Sequence, residues 1–96
     1  MPATRSANVT AYTVTTASAQ AVPARTRNYL AIINQSAGTI AFNLGGTAVV
    51  GGAGSVNLAA APGPGNMMVW DGAGALVPNN AVNIIGGSAG TATIIE

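Results

Sequence analysis

Short runs of apolar and β-branched residues recur about every 8 to 12 residues along the chain, separated by glycine, proline, asparagine or aspartate. Within most runs the side chains alternate between larger apolar and small or polar, and no segment keeps the spacing of an amphipathic helix. This pattern predicts an all-β fold, either a small antiparallel β-sandwich or a jelly-roll-like barrel. We expect residues 1–7 to form a short flexible N-terminal arm and residues 8–96 to form a single β domain.

The clearest predicted strand covers Asn28–Asn34, where Leu30 and Ile32 share one face. Residues 35–38 read as a turn, and residues 39–44 then alternate strictly. Together these segments predict a β-hairpin. The stretch AVNII, followed by GGSAG and TATIIE, predicts a second hairpin at the end of the sequence.

Other predicted strands lie over residues 8–16, 47–50, 55–59 and 66–70, and Asp71-Gly72 forms a turn after the last of them. Pro23 confines the segment around it to a sheet edge or a bend. The alternation also predicts the residues of the hydrophobic core, which are Leu30, Ile32, Ile40, Phe42, Leu44, Val56, Leu58, Val69, Ile84 and Ile94.

Composition indicates that this core is thin. Hydrophobic residues make up 49% of the chain, but many are alanine, and there are only one Trp, two Tyr and one Phe. Burying so little area barely offsets the conformational entropy lost on folding. The chain has no Cys, which excludes disulfides and thiolate metal sites. We therefore expect oligomerisation, or docking onto a larger body, to supply further stability.

Charged side chains are scarce: there are three Lys or Arg and two Asp or Glu, for a net charge of +1. Nucleic-acid binding as a main task is not expected, because neutralising several phosphates requires a basic cluster. No apolar window approaches the ~20 residues of a membrane-spanning helix, so we expect no membrane partner. The first residues lack the apolar segment of a secretory signal, which favours synthesis in a reducing cytoplasm without export by a cleaved signal.

Residues able to perform catalysis are few. Without His, Cys or Lys, an acid–base pair would have to come from Asp71 and Glu96. We expect Asp71 to lie in a turn and Glu96 to be a solvated terminal residue, and we predict a non-enzyme without metal or cofactor. The glycine-rich segments match neither G-x-G-x-x-G nor the P-loop, and they are expected to form turns.

Five residues are candidates for an interface. Trp70 can be an interface anchor, a piece of the core or a sugar-stacking platform, and Asp71 lies beside it. Arg25 and Arg27 flank one residue on a predicted strand, so both would point to the same face. There they would either pair with acidic groups of a partner or stay solvated at a sheet edge. Arg5 lies in the predicted arm.

Several segments together carry a resemblance to a known group of proteins. They are R-N-Y-L-x-I-x-N and I-x-F-N-x-G-G within residues 27–46, W-D-G at residues 70–72, and V-P-x-N-A-V-N-I-I-G at residues 77–86. The chain resembles small all-β virion proteins of tailed bacteriophages, namely head decoration or minor structural proteins.

The resemblance implies an oligomer on a phage particle. We expect a capsid decoration, or cement, protein that binds the major capsid protein or another virion protein on the outer head surface and stabilises the shell. The expected oligomer is a trimer. The alternative that remains open is a receptor- or glycan-binding module of a tail or fibre.

Overall fold

The computed structural model describes residues 8–72 and 76–96, within which there are eight β-strands and no helix. The strands are β1 (Val9–Val14), β2 (Ala19–Val22), β3 (Leu30–Asn34), β4 (Ile40–Leu44), β5 (Val56–Leu58), β6 (Met67–Trp70), β7 (Val82–Gly86) and β8 (Gly90–Ile95). The predicted N-terminal arm, with Arg5, lies outside the described residues.

Two four-stranded sheets make up the fold. Sheet A has the order β1-β8-β3-β6, and sheet B has the order β2-β7-β4-β5. All neighbours are antiparallel, and β1 pairs with β8, β2 with β7, β3 with β6 and β4 with β5. This is the pairing that results when one long hairpin is rolled over on itself, which is the jelly-roll arrangement. The all-β sandwich or jelly-roll prediction is confirmed.

Both predicted hairpins are wrong. β3 lies in sheet A and β4 in sheet B, and the same is true of β8 and β7. The chain crosses between the sheets at each turn, so β3 pairs with β8, and β4 pairs with β7. Alternation cannot distinguish the two outcomes, because a strand keeps one buried face whether the following turn stays in its sheet or leaves it.

The two crossovers, residues 35–39 and 87–89, lie side by side. Gln35 N donates to Thr91 O at 3.0 Å, and Gly87 N donates to Thr39 O at 3.2 Å. The approach is so close that a Cβ added to Gly90 would overlap the Ser36 side chain. Glycine at this position therefore allows the first crossover to pack against the start of β8.

The buried core contains most of the predicted residues. Leu30, Ile32, Ile40, Phe42, Leu58, Ile84 and Ile94 are buried, and Leu44 is half-buried and packs against them. Val69 is exposed because it alternates with the inward-facing Trp70, and Val56 is exposed because it lies on the edge strand β5. Core residues that the sequence analysis missed are Val14, Val22, Val82 and Ala92.

Two other predictions concern strands. β2 ends immediately before Pro23 and lies at the edge of sheet B, as predicted for this segment. Residues 47–50, in contrast, form no strand. There the buried Ala48 donates its N–H to Ser18 Oγ at 3.0 Å, so this segment is held by a side chain and not by a sheet ladder.

Asn34 is a fully buried amide at the end of β3. Its Nδ2 lies 2.9 Å from Gly38 O, 3.2 Å from Leu58 O and 2.9 Å from Ala59 O. Its Oδ1 accepts from Ser36 N at 2.8 Å. One side chain thus satisfies backbone groups of the first crossover, of β5 and of the residue after β5, and its bonds to Leu58 and Ser36 are buried.

We predict that Asn34→Ala lowers the free energy of unfolding by about 3 kcal/mol, because it leaves several buried polar groups unpaired. Chemical denaturation of the purified protein measures this. Asn79→Ala is the matched control, since Asn79 is exposed, and it should change stability by less than about 0.5 kcal/mol. Equal effects of the two substitutions would contradict the role assigned to Asn34.

Candidate functional site

Arg25, Arg27 and Glu96, here called the arginine cluster, meet at one end of the sandwich. The arginines lie in the irregular segment between β2 and β3, not on a strand as predicted. Arg25 donates through Nε and Nη2 to the two Glu96 carboxylate oxygens, each at 2.7 Å, and Arg27 Nε donates to Oε2 at 2.9 Å. The prediction that both guanidinium groups lie together holds, but they face this chain's own carboxylate.

Glu96 is not the solvated residue expected from the sequence, because its side chain is only 4% exposed. Burial alone would raise the pKa of the Glu96 carboxyl. The hydrogen bonds and charges of Arg25 and Arg27 outweigh this effect and hold the pKa below its ordinary value of 4.5. The carboxylate is therefore ionised at neutral pH, and it is engaged in structure.

Arg27 also fastens neighbouring backbone segments together. Its side chain is 2% exposed, whereas that of Arg25 is 40% exposed. Arg27 Nη1 donates to Pro78 O at 2.8 Å and to Asn80 O at 2.9 Å, and Nη2 donates to Pro23 O at 3.0 Å. Because so many of its donors are engaged within the fold, Arg27 links loops to the end of β8 and is not a contact for a partner.

Trp70 packs inward from β6. Its ring meets Phe42 of the opposite sheet edge-on, with centroids 6.0 Å apart and an interplanar angle of 80°. The half-buried ring packs against the edge of the core. This placement does not favour a sugar-stacking platform. Asp71 is exposed directly after β6, and it precedes Gly72, whose φ of 77° suits the predicted turn.

A cleft of about 300 Å³ lies at one edge of sheet B and contains no titratable side chain. It is lined by Ser18, Ala19, Gln20, Gly45, Gly46, Thr47 and Asn83. Within residues 8–72 and 76–96, no group of three or more His, Cys, Asp or Glu residues could hold a metal ion. The cleft therefore offers neither an acid–base pair nor a metal centre.

The outer face of sheet A is apolar and carries no ionisable side chain in its two central rows. The strand registers align these rows across all four strands. The first row is Val9, Ile95, Ala31 and Val69, and the second is Ala11, Thr93, Ile33 and Met67. We call these eight residues the apolar face.

Sheet B presents a different outer surface. Asn43 lies opposite Asn83, Asn83 lies opposite Gln20, and Asn57 lies opposite Ala41. Amide side chains such as these keep a sheet face compatible with water. The two sheets therefore differ in chemistry, because Thr93 is the one polar side chain among the eight residues of the apolar face.

The sequence analysis missed the apolar face, although its signal was present. β3 reads LAIIN and β6 reads MMVW, so these strands are apolar on both faces. Such continuous runs are typical of strands covered on both sides, whereas a strand with one wet face alternates between apolar and polar residues.

Comparisons with protein-family models, curated proteins and solved structures found no match. Function must therefore be inferred from the residues of this chain. In the part of the chain that the structure describes, no helix is long and apolar enough to cross a membrane.

We predict that Arg27→Gln lowers the free energy of unfolding by about 3 kcal/mol, because it breaks a buried, multiply bonded ion pair. Arg25→Gln is the matched control, since it removes a partner of the same carboxylate from a half-exposed position. It should cost less than about 1 kcal/mol. Urea denaturation measures the stability of both variants. A larger loss of stability for Arg25→Gln than for Arg27→Gln would contradict the structural role assigned to Arg27.

The arginine cluster also predicts how stability depends on pH. Because folding lowers the pKa of Glu96, its stabilising contribution is present above pH 4.5 and is lost as the pH falls through the lowered folded value. Glu96→Gln should be less stable than the parent at neutral pH, and the difference should shrink in acid. Denaturation across a pH series measures this, and a difference independent of pH would refute it.

Proposed function

We propose that this protein is a structural component of a tailed-phage virion, a capsid decoration protein that binds the outer head surface as an oligomer and stabilises it. Its partner is the major capsid protein or a neighbouring virion protein. It is made in the host cytoplasm and performs no catalysis. The single observation that carries this proposal is the apolar face of sheet A, which has no charge in its rows.

An uncharged apolar sheet face favours burial against another protein. Removing apolar area from water contributes about 25 cal/mol per Å². Because the core of the sandwich is thin, the free energy of unfolding of one chain is expected to be small. Contact with neighbours then adds a substantial share of the stability. Such an interface is a physical basis for an assembly role.

The stabilising mechanism is mass action. A protein that binds only the assembled shell stabilises that state by its free energy of binding, and no bond is made or broken. Contacts between the decoration protein and several capsid subunits would also oppose their separation. The arginine cluster holds Arg25, Arg27 and Glu96 within the fold, which leaves the interface to apolar contact.

The fold is compatible with this role. Jelly rolls recur in viral capsid proteins, and they also occur in lectins and in cupins. Fold alone does not decide among these functions. The lectin alternative, a glycan-binding module of a tail or fibre, would be favoured by an exposed Trp70 in a groove, and the edge-on packing of Trp70 against Phe42 does not favour it.

The proposal predicts that virions of the phage that encodes this chain lose heat resistance when the protein is stripped off and regain it when the protein is added back. Rebinding should depend weakly on salt, because the contact is apolar and not ionic. Unchanged heat resistance after complete removal of the protein would contradict the proposal.

A matched pair of variants tests which surface is used. Val9, on the apolar face, is 61% exposed, and Val49, in the loop after β4, is 51% exposed. Val9→Glu should weaken rebinding to stripped virions at least tenfold, because it buries an unpaired charge, whereas Val49→Glu should rebind normally. Equal rebinding of both variants, measured by co-sedimentation, would exclude the apolar face as the docking surface.

A further inference from the structure

We propose that two copies of this chain pair through their β6 strands, antiparallel and around a two-fold axis at Met68, so that two A sheets become one continuous sheet. This inference rests on the proposed assembly role and names its first partner, a second copy. It concerns the edge of sheet A and not its outer face.

β6 is the one strand among the described residues that contributes no buried side chain. Met67 is 50% exposed, Met68 38% and Val69 41%, and only Trp70 reaches the core. An exposed, apolar edge strand without a buried side chain promotes aggregation of a monomer. Coverage by another strand prevents this.

The backbone of β6 is ready to accept such a strand. Asn34 N donates to Asn66 O at 2.7 Å, so these two residues form a hydrogen-bonded pair at the end of the β3–β6 ladder. Hydrogen-bonded pairs alternate along an antiparallel ladder, so Met68 and Trp70 also belong to such pairs. The backbone groups of Met68 and Trp70 therefore face β3. Those of Met67 and Val69 point away from β3, toward the side of β6 on which no strand among the described residues lies.

The edges of sheet B are blocked by devices that β6 lacks. β2 has an irregular register between Gln20 and Val22, and Pro23 follows it. β5 is only three residues long. A short strand, an irregular register and a proline each discourage pairing. Both edges of sheet A, β1 and β6, have no charge, no proline and a regular register. β1 is anchored by the buried Val14, whereas β6 has no buried side chain.

A second copy fits this edge without conflict. With Met68 opposite Met68 of the second copy, Met67 lies opposite Val69, and their outward backbone groups form the hydrogen-bonded pairs. Asp71 falls opposite Gly65 in this register, so like charges do not meet. A charged partner strand would bring unpaired charge to an uncharged edge, whereas a copy of β6 brings none.

The symmetry has a consequence for the proposed role. Antiparallel pairing of a strand with itself closes after two copies, in contrast to the trimer expected from the sequence. In such a pair the two apolar faces lie on the same side of the joined sheet. The dimer thus presents a single uncharged surface, twice as wide, to a shell.

A cysteine at the axis tests the pairing directly. The chain has no native Cys, so Met68→Cys introduces one thiol per copy. Facing residues of a non-hydrogen-bonded antiparallel pair have Cα atoms about 4.5 Å apart, within the range that a disulfide spans. Under mild oxidation Met68→Cys should form a covalent dimer, and Val9→Cys, exposed on β1 at the opposite edge of sheet A, should not.

A proline at the open edge gives an independent test. Val69→Pro removes an N–H that does not bond β3, so the fold should persist while the dimer is lost. Val69→Ala keeps the N–H and is the matched control. Sedimentation should give twice the chain mass of 9.3 kDa for the parent and for Val69→Ala, and the single mass for Val69→Pro. Circular dichroism verifies that each variant is folded.

The outcomes separate this proposal from the proposed function. A monomeric or trimeric parent protein, or a dimer that Met68→Cys does not crosslink, would overturn β6 pairing. Heat resistance conferred on virions would still stand as a separate result. Conversely, a β6 dimer that never binds virions would support the pairing and contradict the decoration role.

Discussion

A single thin layer of apolar side chains between two sheets is the constraint on which the rest of this structure depends. Of the eight strands in residues 8–72 and 76–96, seven contribute at least one buried residue to that layer, and β6 contributes only the half-buried Trp70. With so little apolar volume available, the ends of the sandwich are closed by polar groups. Asn34 satisfies the backbone at one crossover, and Arg27 with Glu96 joins loops and β8. Each is stabilising only because nearly all of its hydrogen-bonding capacity is used.

The unequal chemistry of the two sheets links this core to function. Sheet B has amides on its outer face and edges that are short or irregular, so it is suited to water. Sheet A has an apolar outer face and an open, uncharged edge at β6. Three of the charged residues pair with one another in the arginine cluster. A partner of sheet A would therefore be held by apolar contact and backbone hydrogen bonds. Assembly with other proteins is the role that follows from this division.

Local patterns predicted the strands well because alternation and turn residues act over a few positions. They predicted the buried faces of β3, β4 and β8 from the same signal. The hairpins were wrong because the direction of a turn is decided by its neighbours, here by the close approach of Ser36 in the first crossover to Gly90 at the start of β8. The role of Glu96 was missed because its partners, Arg25 and Arg27, lie far away in sequence. The apolar face was missed because alternation assigns one buried face to each strand, so Val69 was placed in the core, although β3 and β6 read as continuous apolar runs.

Hydrogen exchange at the amides of Met67 and Val69 tests most directly whether sheet A is completed by association. These N–H groups point away from β3, and no strand among the described residues pairs with that edge of β6, so we expect them to exchange fast in an isolated chain. The account predicts fast exchange in dilute solution and marked protection as protein concentration rises, with amides in the β4–β5 loop unchanged. Exchange at Met67 and Val69 that stays fast at every concentration and on the assembled particle would contradict it.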